Sequence, residues 1–139
     1  MAVRSTAFQV KTRGFSDMHD ITSAVLDFVG KTDIANGVVT VFVPGSTAGI
    51  TTIEYESGVL EDLKRAFERL VPQGIHYDHD ARWGDGNGFA HVRAALLKPS
   101  LSFPLVDRDV KLGTWQQIVL IDFDNRSRGR EVVIQVVGE

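Results

Sequence analysis

Strand-like runs of apolar and β-branched residues dominate this sequence, and they do not alternate regularly with helices. The run V-V-T-V-F-V predicts a buried strand at residues 37–44, and residues 49–55 predict a strand that pairs with it across a tight turn. Further strands are predicted at residues 6–12, 101–106, 117–123 and 131–137. A chain with more strands than helices and no βαβ repeat favours an α+β fold built on antiparallel sheets over a doubly wound one.

Three segments have apolar residues at helical spacing and predict helices near residues 19–29, 58–70 and 89–97. Gly30 is expected to end the first helix. The second helix should turn four side chains inward, namely Leu60, Leu63, Phe67 and Leu70. Residues 73–88 predict a loop about sixteen residues long, which is uncommon in a compact domain unless the loop is functional.

The composition limits the class of protein. With 139 residues, 43% of them hydrophobic, the chain suits one globular domain, residues 1–139, with a real core. Its net charge of -3 and pI near 5.8 are not those of a nucleic-acid binder. The lack of cysteine excludes disulfides, thiolate zinc sites and cysteine nucleophiles. No apolar run approaches the roughly 20 residues that span a bilayer, and no signal peptide is recognisable, so we expect a soluble cytoplasmic protein.

The segment from His79 to His91, H-D-A-R-W-G-D-G-N-G-F-A-H, is the strongest candidate for a functional site. It holds two imidazoles, two carboxylates, an amide and three glycines, a combination for which a folded core has little use. The two histidines can bind a metal or move a proton, because neutral imidazole is the commonest metal ligand and titrates near physiological pH. The alternative is a flexible turn with His79 in solvent and His91 bonded to a backbone carbonyl.

Two other polar, glycine-containing stretches interrupt apolar runs, and we interpret all three stretches as parts of one site. The turn at Ser46 and Thr47 offers hydroxyls and backbone N–H groups that suit an oxyanion or phosphate. Glu54 lies on a predicted strand and, on a buried face, would need a metal, an arginine or a proton. Trp115 can stack on a planar heterocycle or a cation, and the Gln116 amide can read a ring edge.

Ordinary structural roles for these residues remain open. Glu54 fits a solvated strand face, and Trp115 fits an apolar core. Arg93 can neutralise a phosphate, although a surface arginine is the simpler interpretation.

Four motifs stand out along the chain: S-T-A-G-I-T-T-I-E, Tyr77-x-His79 followed by Asn87-x-x-x-His91, the helix A-H-V-R-A-A-L-L and above all L-G-T-W-Q-Q-I. Together these motifs resemble those of the YjbQ family, whose members are described as secondary thiamine-phosphate synthases. The resemblance extends from about Phe8 to the end of the chain, with all motifs in the family's order.

The resemblance implies a compact β-sandwich-like α+β domain that forms a homotrimer, with a histidine-lined pocket near a subunit interface. It also implies a divalent metal, zinc or magnesium, and a weak ability to join the pyrimidine diphosphate and thiazole phosphate halves of thiamine. For this reaction we assign the metal to His79 and His91, and catalytic roles to His79, His91, Glu54 and Gln116. Substrate binding is assigned to Ser46, Thr47, Asn87, Trp115 and Arg93.

One position departs from the family's pattern. Many members carry a histidine just before the threonine-serine-alanine turn, where this chain has Gly45. If that histidine is a third ligand in other members, this site has only His79 and His91 plus an oxygen donor or water, so a weaker metal, or none, stays open. Candidates for the oxygen donor are Glu54, Asp80 and Asp85, between which the sequence does not choose. Two other functions stay open: a non-catalytic trimeric module that binds a small anion or phosphorylated ligand, and a metal-assisted hydrolase that uses a histidine-bound water.

Overall fold

The computed structural model describes all residues 1–139, which form eight strands and four helices. The strands are β1 Ala2–Thr12, β2 Asp17–Asp20, β3 Gly37–Phe42, β4 Ala48–Ile53, β5 Ser100–Val106, β6 Asp109–Val110, β7 Gln117–Asp122 and β8 Arg128–Gly138. The helices are α1 Thr22–Lys31, α2 Ser57–Leu70, α3 Asp78–Trp83 and α4 Gly88–Leu97.

Two sheets make up the framework. The larger has the strand order β1-β8-β3-β5-β6, and the smaller has the order β2-β7-β4. Every strand pair is antiparallel. The α+β fold on antiparallel sheets that the sequence predicts is therefore confirmed.

The strand β7 is buried on both faces and lies at the centre of the molecule. On one face Ile118 and Leu120 belong to the core shared with α1 and the larger sheet. On the other face Val119 and Ile121 belong to a second core beneath α2 and α4. Burying one such side chain contributes about 1.5–3 kcal/mol. The buried side chains on the two faces of β7 therefore hold the helices against the smaller sheet.

The start of the predicted first helix is instead a strand. Residues Asp17–Asp20 pair with β7, and the buried Met18 lies opposite Ile121. The Asp20 carboxylate accepts hydrogen bonds from the Thr22 backbone N–H (3.0 Å) and hydroxyl (2.6 Å), which marks the change from strand to helix. Gly30 does not end α1, because the helix continues through Lys31.

The predicted pairing of residues 37–44 with residues 49–55 is wrong. The strand β3 pairs with β5 and β8, whereas β4 pairs with β7 in the other sheet. The chain crosses between the sheets at the turn that contains Gly45, whose φ of 133° favours glycine. The predicted strands themselves are present in both cases, and only their partners differ.

The predicted loop at residues 73–88 contains a helix, α3. In α2, Phe67 is buried as predicted, whereas Leu70 does not point inward and is 75% exposed. The helix ends at Leu70, and the following Val71 is buried in its place. The short strand β6 was not apparent in the hydrophobic pattern, because it has only two residues.

Candidate functional site

His79 and His91 lie side by side at one end of the smaller sheet. His79 is in the first turn of α3 and His91 in the first turn of α4. Their ring centroids are 4.4 Å apart, and the ring planes are inclined by 51°. The structure thus brings the two imidazoles of the candidate segment within reach of a shared ion, water or proton.

Glycines allow the two helices to fold back on each other. Gly84 ends α3 with a left-handed φ of 72°, and Gly86 has a φ of 69°. At Gly88, the first residue of α4, a Cβ would lie 2.6 Å from the Cβ of Tyr77, so only glycine fits there without movement. The Gly88 N–H donates to the Asp80 carboxylate at 2.7 Å, which ties the start of α4 to α3.

Behind the imidazoles, a hydrogen-bonded chain leads to a buried carboxylate. His79 Nε2 lies 3.1 Å from Asn87 Oδ1, and Asn87 Nδ2 donates to Asp124 Oδ1 at 3.2 Å. Asp124 is fully buried. His79 Nε2 is also 3.3 Å from Asp85 Oδ1, and the Asn125 amide holds the Asp85 carbonyl oxygen at 2.7 Å. His79 is therefore held by Asp85 and Asn87 of one segment, which are themselves hydrogen-bonded to Asp124 and Asn125 of a second segment.

Asp124 belongs to a buried network of two carboxylates and two arginines. Arg128 Nε donates to Asp124 at 2.8 Å, and Arg130 Nε donates to Asp122 at 2.7 Å. The Thr47 hydroxyl links the two ion pairs, since it accepts from Arg130 Nη2 (2.6 Å) and donates to Asp124 (3.1 Å). Buried carboxylates are tolerated when they are paired in this way.

Two groups in this region have shifted pKa values. Burial alone would raise the pKa of Asp124, but hydrogen bonds from Asn87, the Asn125 backbone and Arg128 outweigh it and lower the pKa to about 2. Burial lowers the pKa of His91, and the neighbouring His79 lowers it further, against the opposing effect of nearby carboxylates. At neutral pH Asp124 is therefore ionised and His91 is neutral.

Ser46 and Thr47 both lie near His91, but with different surroundings. Ser46 lines a depression of about 220 Å³ together with Gly45, Ala48 and His91. The Thr47 side chain is buried, with its hydroxyl engaged in the network of Asp124 and Arg130. Only Ser46 of the two can offer its hydroxyl to a ligand in that depression.

Arg93 lies away from the imidazole pair. Its side chain is only 2% exposed, and its guanidinium donates to the Val71 carbonyl oxygen, the Ser16 hydroxyl and the Glu68 carboxylate. These hydrogen bonds of Arg93 hold α4 against the end of α2. These contacts give Arg93 a structural role in this chain.

Glu54, Trp115 and Gln116 gather at a second place. They line a depression of about 380 Å³, in which Gln116 Nε2 donates to the Thr52 hydroxyl at 3.1 Å. This depression is at the far end of β4, whose first residue Ala48 is near the imidazoles. Five steps of about 3.3 Å along the strand separate its ends by about 16 Å. Within one chain the three polar stretches therefore form two separate groups, and the interpretation of all three as parts of one site does not hold there.

The donors available for a metal are few. Nowhere in the chain do three His, Cys, Asp or Glu side chains gather in a geometry that could hold a metal ion. The imidazole pair supplies two nitrogen donors, one fewer than the three protein ligands usual at a catalytic zinc. A metal at this site would need water, ligand oxygens or another chain for its remaining positions.

Residues of the buried network were not among the predicted site residues. Asp122, Asp124 and Arg130 follow the apolar strand in the run D-F-D-N-R-S-R-G-R. Two acidic residues directly at the end of a buried strand, followed by three arginines, are the signal that could have pointed to a buried ion-pair network.

This protein is an antiparallel α+β domain in which two neighbouring helices carry a pair of imidazoles, with a buried carboxylate behind them. The family model described as "UPF0047 protein YjbQ-like" matches residues 6–139. The chain belongs to this family, as the sequence motifs predict.

Individual relatives agree with this assignment. A UPF0047 protein of Archaeoglobus fulgidus is 37% identical over 128 residues, which cover 92% of this chain and 97% of the relative. The UPF0047 protein YugU of Bacillus subtilis is 33% identical over 94% of this chain and 96% of its own length. The crystal structure of a YbjQ-like protein of unknown function from Sulfolobus solfataricus superposes with a TM-score of 0.94 at 30% identity, covering 99% of both chains. No helix of this chain is both long and apolar enough to span a membrane.

Proposed function

We propose that this chain is a weak thiamine-phosphate synthase-like transferase whose reacting centre is the pair of His79 and His91. The observation that carries the proposal is the 4.4 Å separation of the two ring centroids. In the reaction, the thiazole nitrogen attacks the methylene carbon of the pyrimidine diphosphate, and a carbon–nitrogen bond forms. The carbon–oxygen bond to the diphosphate breaks, and its electron pair leaves with pyrophosphate. The site must therefore stabilise negative charge that grows on the leaving group.

The two imidazoles supply the groups for this task. Because burial and the neighbouring His79 lower its pKa, His91 is neutral at neutral pH and keeps a nitrogen lone pair. His79 and His91 would hold a divalent metal together with water or phosphate oxygens, and the nitrogen donors favour zinc over magnesium, which prefers oxygen. A metal held there would supply positive charge beside the departing pyrophosphate. The hydroxyl of Ser46, in the same depression, would donate to a phosphate oxygen.

The second group of residues would complete the site from a neighbouring subunit of a homotrimer. Two features support this part of the proposal: Trp115 is 71% exposed, and it lies at the far end of β4 from the imidazoles. In a closed ring each subunit contacts the next through two different surfaces, and in the proposed trimer these surfaces would contain the two ends of β4. Trp115 would then stack on a thiamine precursor ring, and Gln116 and Glu54 would bind its polar edge.

The test is formation of thiamine phosphate from the two phosphorylated halves. His91→Ala should reduce turnover about 100-fold or more, the usual scale for a charge-stabilising or acid–base group. His76→Ala is the matched control, because the His76 side chain is 73% exposed and its ring is hydrogen-bonded to Asp78. Equal rates in the wild type and both variants would contradict the proposal.

Mixing two inactive variants tests the shared site. His91→Ala and Trp115→Ala subunits, unfolded and reassembled together, should regain part of the activity, because some sites would combine an intact His91 with an intact Trp115. If the mixture stays as inactive as each variant alone, residues of different subunits do not form one site.

A non-catalytic module that binds a small anion is the second candidate. The depression beside His91 has a volume of about 220 Å³, below the roughly 300–1,000 Å³ of typical small-molecule sites. It suits one phosphate group better than two phosphorylated halves. Calorimetric binding of inorganic phosphate that depends on His91, in a protein that forms no thiamine phosphate, would favour this module. Release of phosphate or pyrophosphate without the thiazole partner would instead indicate hydrolysis.

A further inference from the structure

The orientation of the Asn87 amide is fixed by the groups around Asp124. Asp124 Oδ1 accepts from the Asn125 backbone N–H at 2.8 Å, and Oδ2 accepts from Arg128 Nε at 2.8 Å and from the Thr47 hydroxyl. An ionised carboxylate can only accept hydrogen bonds. The Asn87 atom 3.2 Å from Oδ1 must therefore be the donor, Nδ2. The reversed amide would bring two acceptors together in a buried place.

This orientation determines which nitrogen of His79 carries the proton. With Nδ2 turned to Asp124, the Asn87 atom that faces His79 is the acceptor Oδ1, 3.1 Å from Nε2. The second group near Nε2 is the Asp85 carboxylate at 3.3 Å, which is also an acceptor. A neutral imidazole has one N–H and one lone pair. Its N–H is therefore at Nε2, and the lone pair is at Nδ1.

We propose that Asn87 and Asp124 are positioning residues that hold neutral His79 as its Nε2–H tautomer, so that Nδ1 is the atom with which His79 binds a metal or accepts a proton. The use of Nδ1 for chemistry rests on the proposed function, whereas the tautomer itself does not. Carboxylates and amides that receive the second N–H of a histidine commonly fix its tautomer and ring orientation in this way. Asn87 is then a supporting residue and not a ligand contact.

The burial of these groups makes the arrangement rigid. Asn87 and Asp124 are both buried, and Asp124 is held by Arg128 as well as by Asn87. Loss of the Asn87 side chain should leave the fold intact, because α4 begins at Gly88 without a side-chain cap from Asn87. The effect of removing Asn87 should therefore appear mainly at the His79 ring.

The tautomer can be read directly by NMR that correlates the ring nitrogens and ring protons of the labelled, metal-free protein. The spectra are recorded at about pH 8, where free imidazole in solution is neutral. We expect the His79 signals of the Nε2–H form, with an unprotonated Nδ1. Signals of the Nδ1–H form in the wild-type protein would overturn the proposal.

Two variants separate the contributions of the acceptors. In Asn87→Ala the His79 signals should move towards a mixture of tautomers, while in Asp85→Ala they should stay those of the Nε2–H form. The opposite outcome would assign the role to Asp85 and overturn the proposal for Asn87. His76→Ala serves as the assignment control, because it removes one histidine signal outside the site.

Addition of zinc chloride then tests how the tautomer is used. Coordination should shift the Nδ1 signal of His79 and leave its Nε2 proton in place. A shift at Nε2 with loss of that proton would overturn the assignment of Nδ1 as the binding atom. If zinc leaves both histidines unchanged, the metal part of the proposed function fails, while the tautomer measured without metal still supports the positioning role.

Discussion

Replacing Gly88 with alanine should disrupt the site more than any other single-methyl change in the segment. Gly88 begins α4 at the point where it meets α3. A Cβ there would lie 2.6 Å from the Cβ of Tyr77 and 3.0 Å from both the Tyr77 Cγ and the Asp80 Oδ1. The first of these atoms is next to the backbone and cannot swing away, so α3 and α4 must move apart. His79 and His91 are carried by those two helices, and their rings would separate.

The magnitude follows from two terms. Forcing one extra methyl group into a close-packed contact typically costs about 1–3 kcal/mol. The movement also lengthens the 2.7 Å hydrogen bond from the Gly88 N–H to Asp80, and a hydrogen bond to a charged group contributes about 1.5–3 kcal/mol. With partial loss of that bond, we expect a decrease of about 2–4 kcal/mol in the free energy of unfolding.

Urea denaturation followed by circular dichroism measures this change. The matched control is Gly30→Ala, since Gly30 is exposed in α1 and a Cβ there meets nothing within 4 Å. Alanine is the better helix former, so the control should gain up to about 1 kcal/mol. If Gly88→Ala is as stable as the wild type, α3 and α4 can accept a Cβ at position 88 without cost, and the prediction is wrong.

Three further predictions concern the pH dependence, the core and the assembly. Asp124 has a pKa of about 2 in the folded protein against its usual 3.8, so its ionisation contributes about 2 kcal/mol of stability that is present above pH 3.8 and lost as the pH falls through about 2. Urea titrations of Asp124→Asn should lack this acid-dependent loss of stability. A loss equal to that of the wild type would contradict the prediction. Phe123 is fully buried and packs edge-on against Phe67, with the ring centroids 4.8 Å apart. Phe123→Ala should therefore lower the free energy of unfolding by about 3–5 kcal/mol in the same denaturation experiment. A decrease below about 1 kcal/mol would contradict this packing. Light scattering should give three times the chain mass of 15.3 kDa for the proposed homotrimer, and a monomer mass at micromolar concentration would count against it.

The elements with a strong periodic pattern could be predicted from the sequence. The alternation along β8 and the helical spacing of Leu60, Leu63 and Phe67 depend only on nearby residues, which is why both elements are found close to their predicted bounds. Strand pairing depends on distant residues. The pattern of residues 37–44 and 49–55 could not reveal that β4 pairs with β7, about seventy residues further along the chain.

The same distinction holds for the site. The approach of His79 and His91 depends on a short segment with three glycines, so the sequence could suggest it. The support from Asp124 depends on contacts such as that with Thr47, which is 77 positions away. The separation of Trp115 from the imidazoles follows from the antiparallel pairing of β4 with β7, which places Gln117 opposite Ile53 and Asp122 opposite Ala48. Motif order along the chain does not contain that information.

Anomalous diffraction from crystals soaked in zinc chloride tests the central claim most directly, namely that His79 and His91 form one binding centre. We expect an anomalous peak at the zinc absorption edge, about 2.0–2.1 Å from one nitrogen of each ring. On His79 that nitrogen should be Nδ1. No peak between the two rings, or a peak at the exposed His76 alone, would contradict the claim that the pair is the functional centre of this protein.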